Sequence, residues 1–260
     1  MKERKIENYT VYYYLLSALL LIPTITIYFL CFEISFISLI IFYLVVIIIV
    51  YGLVIGLGFR INRILTTECD PERFLSQYDR FYRINARKEK QVRFQYRRII
   101  ALTHLGQDQV AEESFDKVTK PVTTSNKTWY LAYRDLELYF LVKAKKFEEA
   151  KKLMDELDAN LTDKDKQKYK IALKNQQAAY LMETGELKES REIYQELLAI
   201  KTSKLNTMVY RYRLGKIEMW LHDYQQARLA FERVIAEGNK LYLVTEAKEA
   251  LQEIAGKQGA

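Results

Sequence analysis

Two long runs without charge lie near the start of the chain. Residues 11–32 contain no Asp, Glu, Lys or Arg, Glu33 follows, and residues 34–59 are again uncharged. One continuous helix over both runs would be about 70 Å long at 1.5 Å per residue, whereas the hydrocarbon core of a bilayer is about 30 Å thick. Two separate helices would each cross a bilayer with some tilt. The pattern therefore predicts a hairpin of two transmembrane helices.

Positive charges flank this pair of runs on both sides. Lys2, Arg4 and Lys5 precede the first run, Arg60 and Arg63 follow the second, and the connector carries no Lys or Arg. Because positively charged flanks stay in the cytosol, we expect a multi-pass protein of the cell membrane with both termini in the cytoplasm.

Gly52 and Gly56 are spaced four residues apart in the second run, which puts both on one helix face. Small residues at this spacing allow another helix to approach closely in a membrane. The partner could be the first span of the same chain or a second copy of the chain, so a homodimer contact through Gly52 and Gly56 is one of two interpretations.

The stretch "ECDPERFL", residues 68–75, ends the apolar region. Asp70 is a good N-cap and Pro71 suits the first position of a helix, where its missing N–H would have no partner. Glu72 adds negative charge near the positive helix end. We therefore predict an anchor over residues 1–64, a basic juxtamembrane helix over 65–87 and a further domain over 88–256.

The long C-terminal region carries an internal repeat. The segments 106–118, 145–157, 185–197 and 222–234 align without gaps and begin 39, 40 and 37 residues apart. One column always holds a small residue: Ala111, Ala150, Ser190 and Ala227. A large apolar residue stands four positions later, which is the same helix face: Phe115, Met154, Tyr194 and Phe231. Repeats of this length predict helix pairs stacked into an array.

The fourth unit, residues 210–235, resembles a tetratricopeptide repeat. Leu214-Gly215 stands where that family has its Leu-Gly pair, Tyr224 at its second-turn aromatic and Ala227 at its packing Ala. The third unit keeps Ala178 in the Gly column. The resemblance covers about residues 88–240.

This resemblance implies an all-α fold, in which the transmembrane hairpin is followed by an α-solenoid of about four helix pairs and a capping helix. The first two units depart from the family pattern, with Ile99 and Leu138 in the Gly column. The spacing also exceeds the family's usual 34 residues, which implies longer first helices or linkers.

Proteins of this family typically present the first helix of each pair along a concave groove that holds a peptide or a partner helix. The residues of this chain at the positions that face the groove in that family are the candidate binding residues. They are Arg97, Tyr139, Lys143, Asn175, Gln176, Tyr212, Arg213, Lys216 and Trp220. Rings beside fixed cations suit an extended segment with acidic and apolar side chains. The alternative is that these rings pack between helices and the charges form a solvated face. Members that grip chaperone tails carry Lys and Asn where this chain has Tyr96 and Ile100, which argues against that role.

The segment that follows the apolar region is strongly basic, in a chain whose net charge is +7. Basic residues close to a membrane attract anionic lipid head groups. The predicted lipid contacts are Arg80, Arg83, Arg87 and Lys88. A solvated helix surface is an equally good interpretation, and nucleic-acid binding is disfavoured because the chain is held at a membrane.

Motifs for catalysis, for a nucleotide or for a metal are missing from the sequence. It lacks a phosphate-binding loop, a GxSxG nucleophile motif and a metal-spaced His/Cys/Asp set. We therefore expect neither an enzyme nor a cofactor. The sequence predicts a membrane-anchored interaction scaffold, from a chain whose Ile-, Lys- and Tyr-rich usage is compatible with a bacterium. The alternatives are a peptide-sensing membrane receptor and an accessory subunit of a multi-span complex.

Overall fold

A computed structural model describes residues 36–84, 86–121 and 127–259, together with Pro23, Thr26 and Ile27. Within these residues all regular structure is helical and no strand is present. The contacts divide the chain into two compact units, Met1–Phe59 and Arg60–Ala260. The predicted first span, residues 11–32, lies almost entirely outside the described residues.

The first unit contains most of helix α1, Phe36–Thr66. Within the described residues one helical stretch, Ile40–Thr66, is long and apolar enough to cross a membrane. Apart from the chain neighbours and the nearby backbone of the same helix, no atom of the described residues lies within 4 Å of an ideal Cβ built on Gly52 or Gly56. The number of spans, their orientation and the homodimer contact stay predictions.

The second unit consists of helix pairs, as the repeat pattern predicts. Two helices precede the pairs, α2 (Pro71–Tyr82) and the short α3 (Ala86–Glu89). The four pairs are α4 and α5 (Val92–His104, Asp108–Asp116), α6 and α7 (Lys127–Lys143, Phe147–Asn160), α8 and α9 (Asp163–Thr184, Leu187–Ala199), and α10 and α11 (Lys204–Trp220, Tyr224–Glu237). Helix α12, Tyr242–Gly259, follows as the predicted cap.

The start of α2 confirms the predicted helix boundary. The carboxylate of Asp70 accepts a hydrogen bond of 3.0 Å from the backbone N–H of Arg73, and Pro71 occupies the first turn. This side chain replaces the intrahelical acceptor that the N–H lacks at a helix start.

Small residues bring the two helices of each pair together. The four members of the predicted small column are all fully buried: Ala111, Ala150, Ser190 and Ala227. In the third pair the hydroxyl of Ser190 donates to the carbonyl oxygen of Ala178 at 2.7 Å. In the fourth pair an ideal Cβ added to Gly215 would lie 2.8 Å from Cε1 of Phe231, so only Gly fits against that ring. The predicted register of the repeats is confirmed.

Residues 60–70 belong to the second unit and pack against its far end. The carbonyl oxygen of Glu68 accepts a 2.8 Å bond from the amide of Asn239, and that of Cys69 accepts a 3.2 Å bond from the backbone N–H of Lys240. The ammonium of Lys240 lies 3.1 Å from the carboxylate of Asp70. Residues 68–70, at the start of the stretch that ends the apolar region, therefore also contact the far end of the array.

The same contact region has an apolar core. A single cluster of buried side chains includes Ile64 from the last turns of α1, Phe74 from α2, Ala101 from α4 and Leu241 just before α12. The ring of Tyr242 packs directly on Gly106, where an added Cβ would lie 2.7 Å from the ring. The first pair thus contacts the cap, and the array closes on itself.

A charged pocket inside the closed array

The first helix of every pair contributes to one pocket of about 350 Å³. Its wall combines polar and apolar side chains from four helices. Those on α4 and α6 are Tyr96, Ile100, Thr103, His104, Asp135, Leu136 and Tyr139. Those on α8 and α10 are Lys168, Tyr169, Ile171, Ala172, Asn175, Gln176, Leu205, Asn206, Val209, Tyr210 and Arg213. The four first helices therefore form one pocket between them.

Asp135 supplies the negative charge of the pocket. One carboxylate oxygen accepts a 2.8 Å bond from the hydroxyl of Tyr96, and the other accepts a 2.7 Å bond from the amide of Gln176. Burial raises the pKa of Asp135, whereas these two bonds and the charge of Arg213 act in the opposite direction. Neutral donors from α4 and α8 thus hold a carboxylate of α6 in place.

Arg213 supplies the matching positive charge. Its Nη1 donates to the side-chain oxygen of Asn175 at 3.1 Å and to the hydroxyl of Tyr194 at 2.7 Å. Tyr194 comes from α9, the second helix of the third pair, and is fully buried. The guanidinium is therefore fixed by two neutral acceptors from the neighbouring pair.

His104 completes the polar wall on α4. Burial, together with the positive charge of Arg213, lowers the pKa of His104 to about 4, while Asp108 opposes both effects. The imidazole is consequently neutral at physiological pH and adds no charge to the pocket.

The chain was compared with known families, curated proteins and solved structures. No family model matches the chain. No curated protein matches it. A solved structure titled "MamA RS-1 ArsTM double mutant" is similar over 70% of this chain and 93% of that chain, with 19% sequence identity and a TM-score of 0.33.

The nine predicted binding residues separate into two groups. Tyr139, Asn175, Gln176 and Arg213 line the pocket. Lys143 is not a lining residue, but its ammonium is 5.9 Å from the ring centroid of Tyr139 and pairs with the carboxylate of Asp108 on α5.

The remaining four predicted residues lie outside the pocket wall. Tyr212 packs against Phe231, with ring centroids 5.9 Å apart. Lys216 lies 5.1 Å from the ring centroid of Trp220, and Arg97 is exposed on α4. Their part in binding stays a prediction, because none of the four lines the pocket.

The predicted lipid contacts lie around the end of α2 and on α3. Arg80, Arg83 and Arg87 are exposed, and Arg83 ends α2 with a left-handed φ of 46°. Lys88 is half-buried, donates to the carbonyl oxygen of Tyr82 and lies 5.3 Å from the ring centroid of Phe94. Contact with lipid stays a prediction for all four residues.

Asp135 is the main pocket residue that the sequence reasoning missed. A signal for it does exist in the repeat register. Tyr96, Asp135 and Asn175 each stand three residues before the Gly column of their unit, and all three line the pocket. The predicted binding residues were chosen mainly for aromatic rings and positive charges, so Asp135, the one carboxylate in that column, was not among them.

Proposed function

We propose that the chain is a binding module, held at a membrane by its apolar N-terminal helices, that takes a segment of another protein or a peptide into the pocket of the array. The observation that carries this proposal is the convergence of four first helices on a pocket with two fixed charges. Side chains that are held in place before a ligand arrives lose little freedom on binding, which favours recognition. The module acts by binding, without a chemical step, on the cytosolic face of the membrane.

A second candidate is a receptor that senses a short peptide. A pocket of about 350 Å³ is near the lower end of the usual range for small-ligand sites. A chain end or a short peptide fits this volume better than a long extended segment.

Photo-crosslinking in cells tests the proposal. Tyr139 is replaced by azidophenylalanine, which is close to Tyr in shape and lies in the pocket wall, and Leu229 is replaced in the same way as the matched control. Leu229 is 50% exposed on α11, a second helix, away from the pocket lining. We expect one dominant cytosolic protein or peptide adduct from position 139 and none of it from position 229.

A charge reversal in the pocket lining provides a second test of the proposal. Lys168 is an exposed lining residue, and Lys164 is an exposed residue one turn earlier on the same helix that does not line the pocket. We expect Lys168→Glu to weaken the adduct and Lys164→Glu to leave it unchanged. An adduct of low mass favours the receptor, and an adduct of one resident protein favours the scaffold. Equal adducts from positions 139 and 229, or adducts of lipid alone, contradict the proposal.

A further inference from the structure

The pocket keeps two opposite charges apart. Asp135 is held by Tyr96 and Gln176, and Arg213 by Asn175 and Tyr194. Among the described residues neither charge forms an ion pair, although both line the same pocket. Charges removed from bulk water are normally paired. These two are instead oriented by neutral groups, which leaves their charges available to a ligand.

Both groups retain hydrogen-bonding capacity toward the pocket. A guanidinium has five N–H donors in a planar fork, and the two bonds of Arg213 to described residues both come from Nη1. A carboxylate has about four acceptor sites, and Asp135 uses one site on each oxygen for its side-chain donors. A ligand that brings an anionic group to Arg213 and a cationic donor to Asp135 would satisfy the remaining sites.

The other polar groups of the wall do not compete for these charges. The imidazole of His104 is neutral at physiological pH, and burial raises the pKa of Tyr210 to about 12, so its phenol is neutral as well. Lys168 is exposed, and its positive charge adds to the attraction for an anionic group.

We propose that the pocket binds a short zwitterionic peptide, whose carboxylate pairs with Arg213 and whose ammonium pairs with Asp135. This inference rests on the proposed binding function and specifies its ligand. Guanidinium and carboxylate form paired, charge-assisted hydrogen bonds, which are among the strongest polar contacts in proteins. The pocket volume of about 350 Å³ favours a short ligand, because most of a long chain would lie outside the pocket.

The test uses the full-length chain in detergent micelles and a defined pool of tripeptides. The same pool is prepared with free termini, with acetylated N-termini and with amidated C-termini. We expect the free pool to raise the melting temperature of the second unit, followed by the fluorescence of its two Trp residues. Loss of one charge-assisted contact should weaken binding at least about tenfold, so each capped pool should bind correspondingly less.

Two variants test which pocket residue binds which end of the ligand. Asp135→Asn should abolish the discrimination against acetylated peptides and keep the discrimination against amidated ones. Arg213→Gln should have the opposite pattern. Arg233→Gln is the matched control for Arg213, since Arg233 is an exposed arginine on α11 that lies outside the pocket lining. It should bind all pools as the parent chain does.

The outcomes separate this inference from the proposed function. If free and capped tripeptides bind equally well, or if no tripeptide binds, the zwitterionic ligand is overturned. The adduct from Tyr139 still decides the proposed function independently. Should Arg213→Gln fail to fold, the comparison of free with capped peptides on the parent chain and on Asp135→Asn keeps the inference open to refutation.

Discussion

Ala227 has no exposed surface on α11 and belongs to the small column of the helix pairs. Ala227→Arg would place a long charged side chain in that contact, which overpacks it and buries a charge without a partner. We expect a loss of about 3–5 kcal/mol in the free energy of unfolding. The measurement is urea unfolding of the full-length chain in micelles, followed by the fluorescence of Trp129 and Trp220, which both lie in the second unit.

Leu229 on the same helix provides the control for this variant. It is 50% exposed, so Leu229→Arg should change the free energy of unfolding by no more than about 0.5 kcal/mol. If Ala227→Arg unfolds at the same urea concentration as Leu229→Arg, the packing of the fourth pair is described incorrectly.

His104 gives the second unit a distinctive pH dependence. Its pKa is about 4 in the folded chain against an ordinary value of 6.5. Below pH 6.5 the unfolded chain therefore binds a proton that the folded chain does not, and stability falls with falling pH until about pH 4. Between pH 7.5 and pH 5 this single group should reduce the free energy of unfolding by about 2 kcal/mol.

The comparison of the parent chain with His104→Gln isolates this contribution. Carboxylates also titrate in this range, but they do so in both chains. The variant should therefore lose about 2 kcal/mol less than the parent between the two pH values in the same urea experiment. Equal losses in both chains would mean that the folded chain protonates this imidazole as readily as the unfolded one does.

At the scale of the helices, the sequence predicts the pairs because their packing is local. The small column and the large apolar residues recur within each unit, and Gly215 against Phe231 shows why that spacing is needed. The helix start at Asp70 is equally local, because a cap acts within its own first turn. Such features can be read from residues that are three or four positions apart.

The predicted binding surface is partly different from the pocket for a geometric reason. On α10 the lining residues lie between Leu205 and Arg213, in the N-terminal half of the helix. Lys216 and Trp220 are further along the same helix and therefore lie beyond the wall. A column of the repeat identifies a helix face, but it does not show how far along that face the pocket extends.

At the scale of the whole array, the sequence did not predict that the two ends of the array contact each other. The bonds from Asn239 to Glu68 and from Lys240 to Cys69 join residues about 170 positions apart. Whether such residues meet depends on the small rotation between successive pairs, which accumulates along the array. No local spacing encodes that sum, so the sequence predicted a concave groove without the contact between its two ends.

Closure has a consequence for ligand binding. Asp135 and Arg213 stand on α6 and α10, two pairs apart along the array, so a ligand that contacts both bridges the ring from within. Such a ligand binds the closed arrangement in preference to an open one and stabilises it by mass action. Residues 60–70, which include the last turns of α1, are part of the same closed arrangement.

A cavity at the closing contact tests whether the two ends behave as one structural element. Leu241 is 2% exposed in the cluster that also contains Ile64 and Phe74, and Leu241→Ala should remove about 2–5 kcal/mol of stability.

Leu153→Ala removes the same atoms from a separate cluster in the second pair, where Leu153 is also buried. Hydrogen exchange of the full-length chain should then increase in residues 61–82 and 239–254 together for Leu241→Ala, because opening either end exposes both. For Leu153→Ala the increase should concentrate in α6 and α7. If residues 61–82 exchange at the parent rate in Leu241→Ala, the two ends of the array do not open as one structural element.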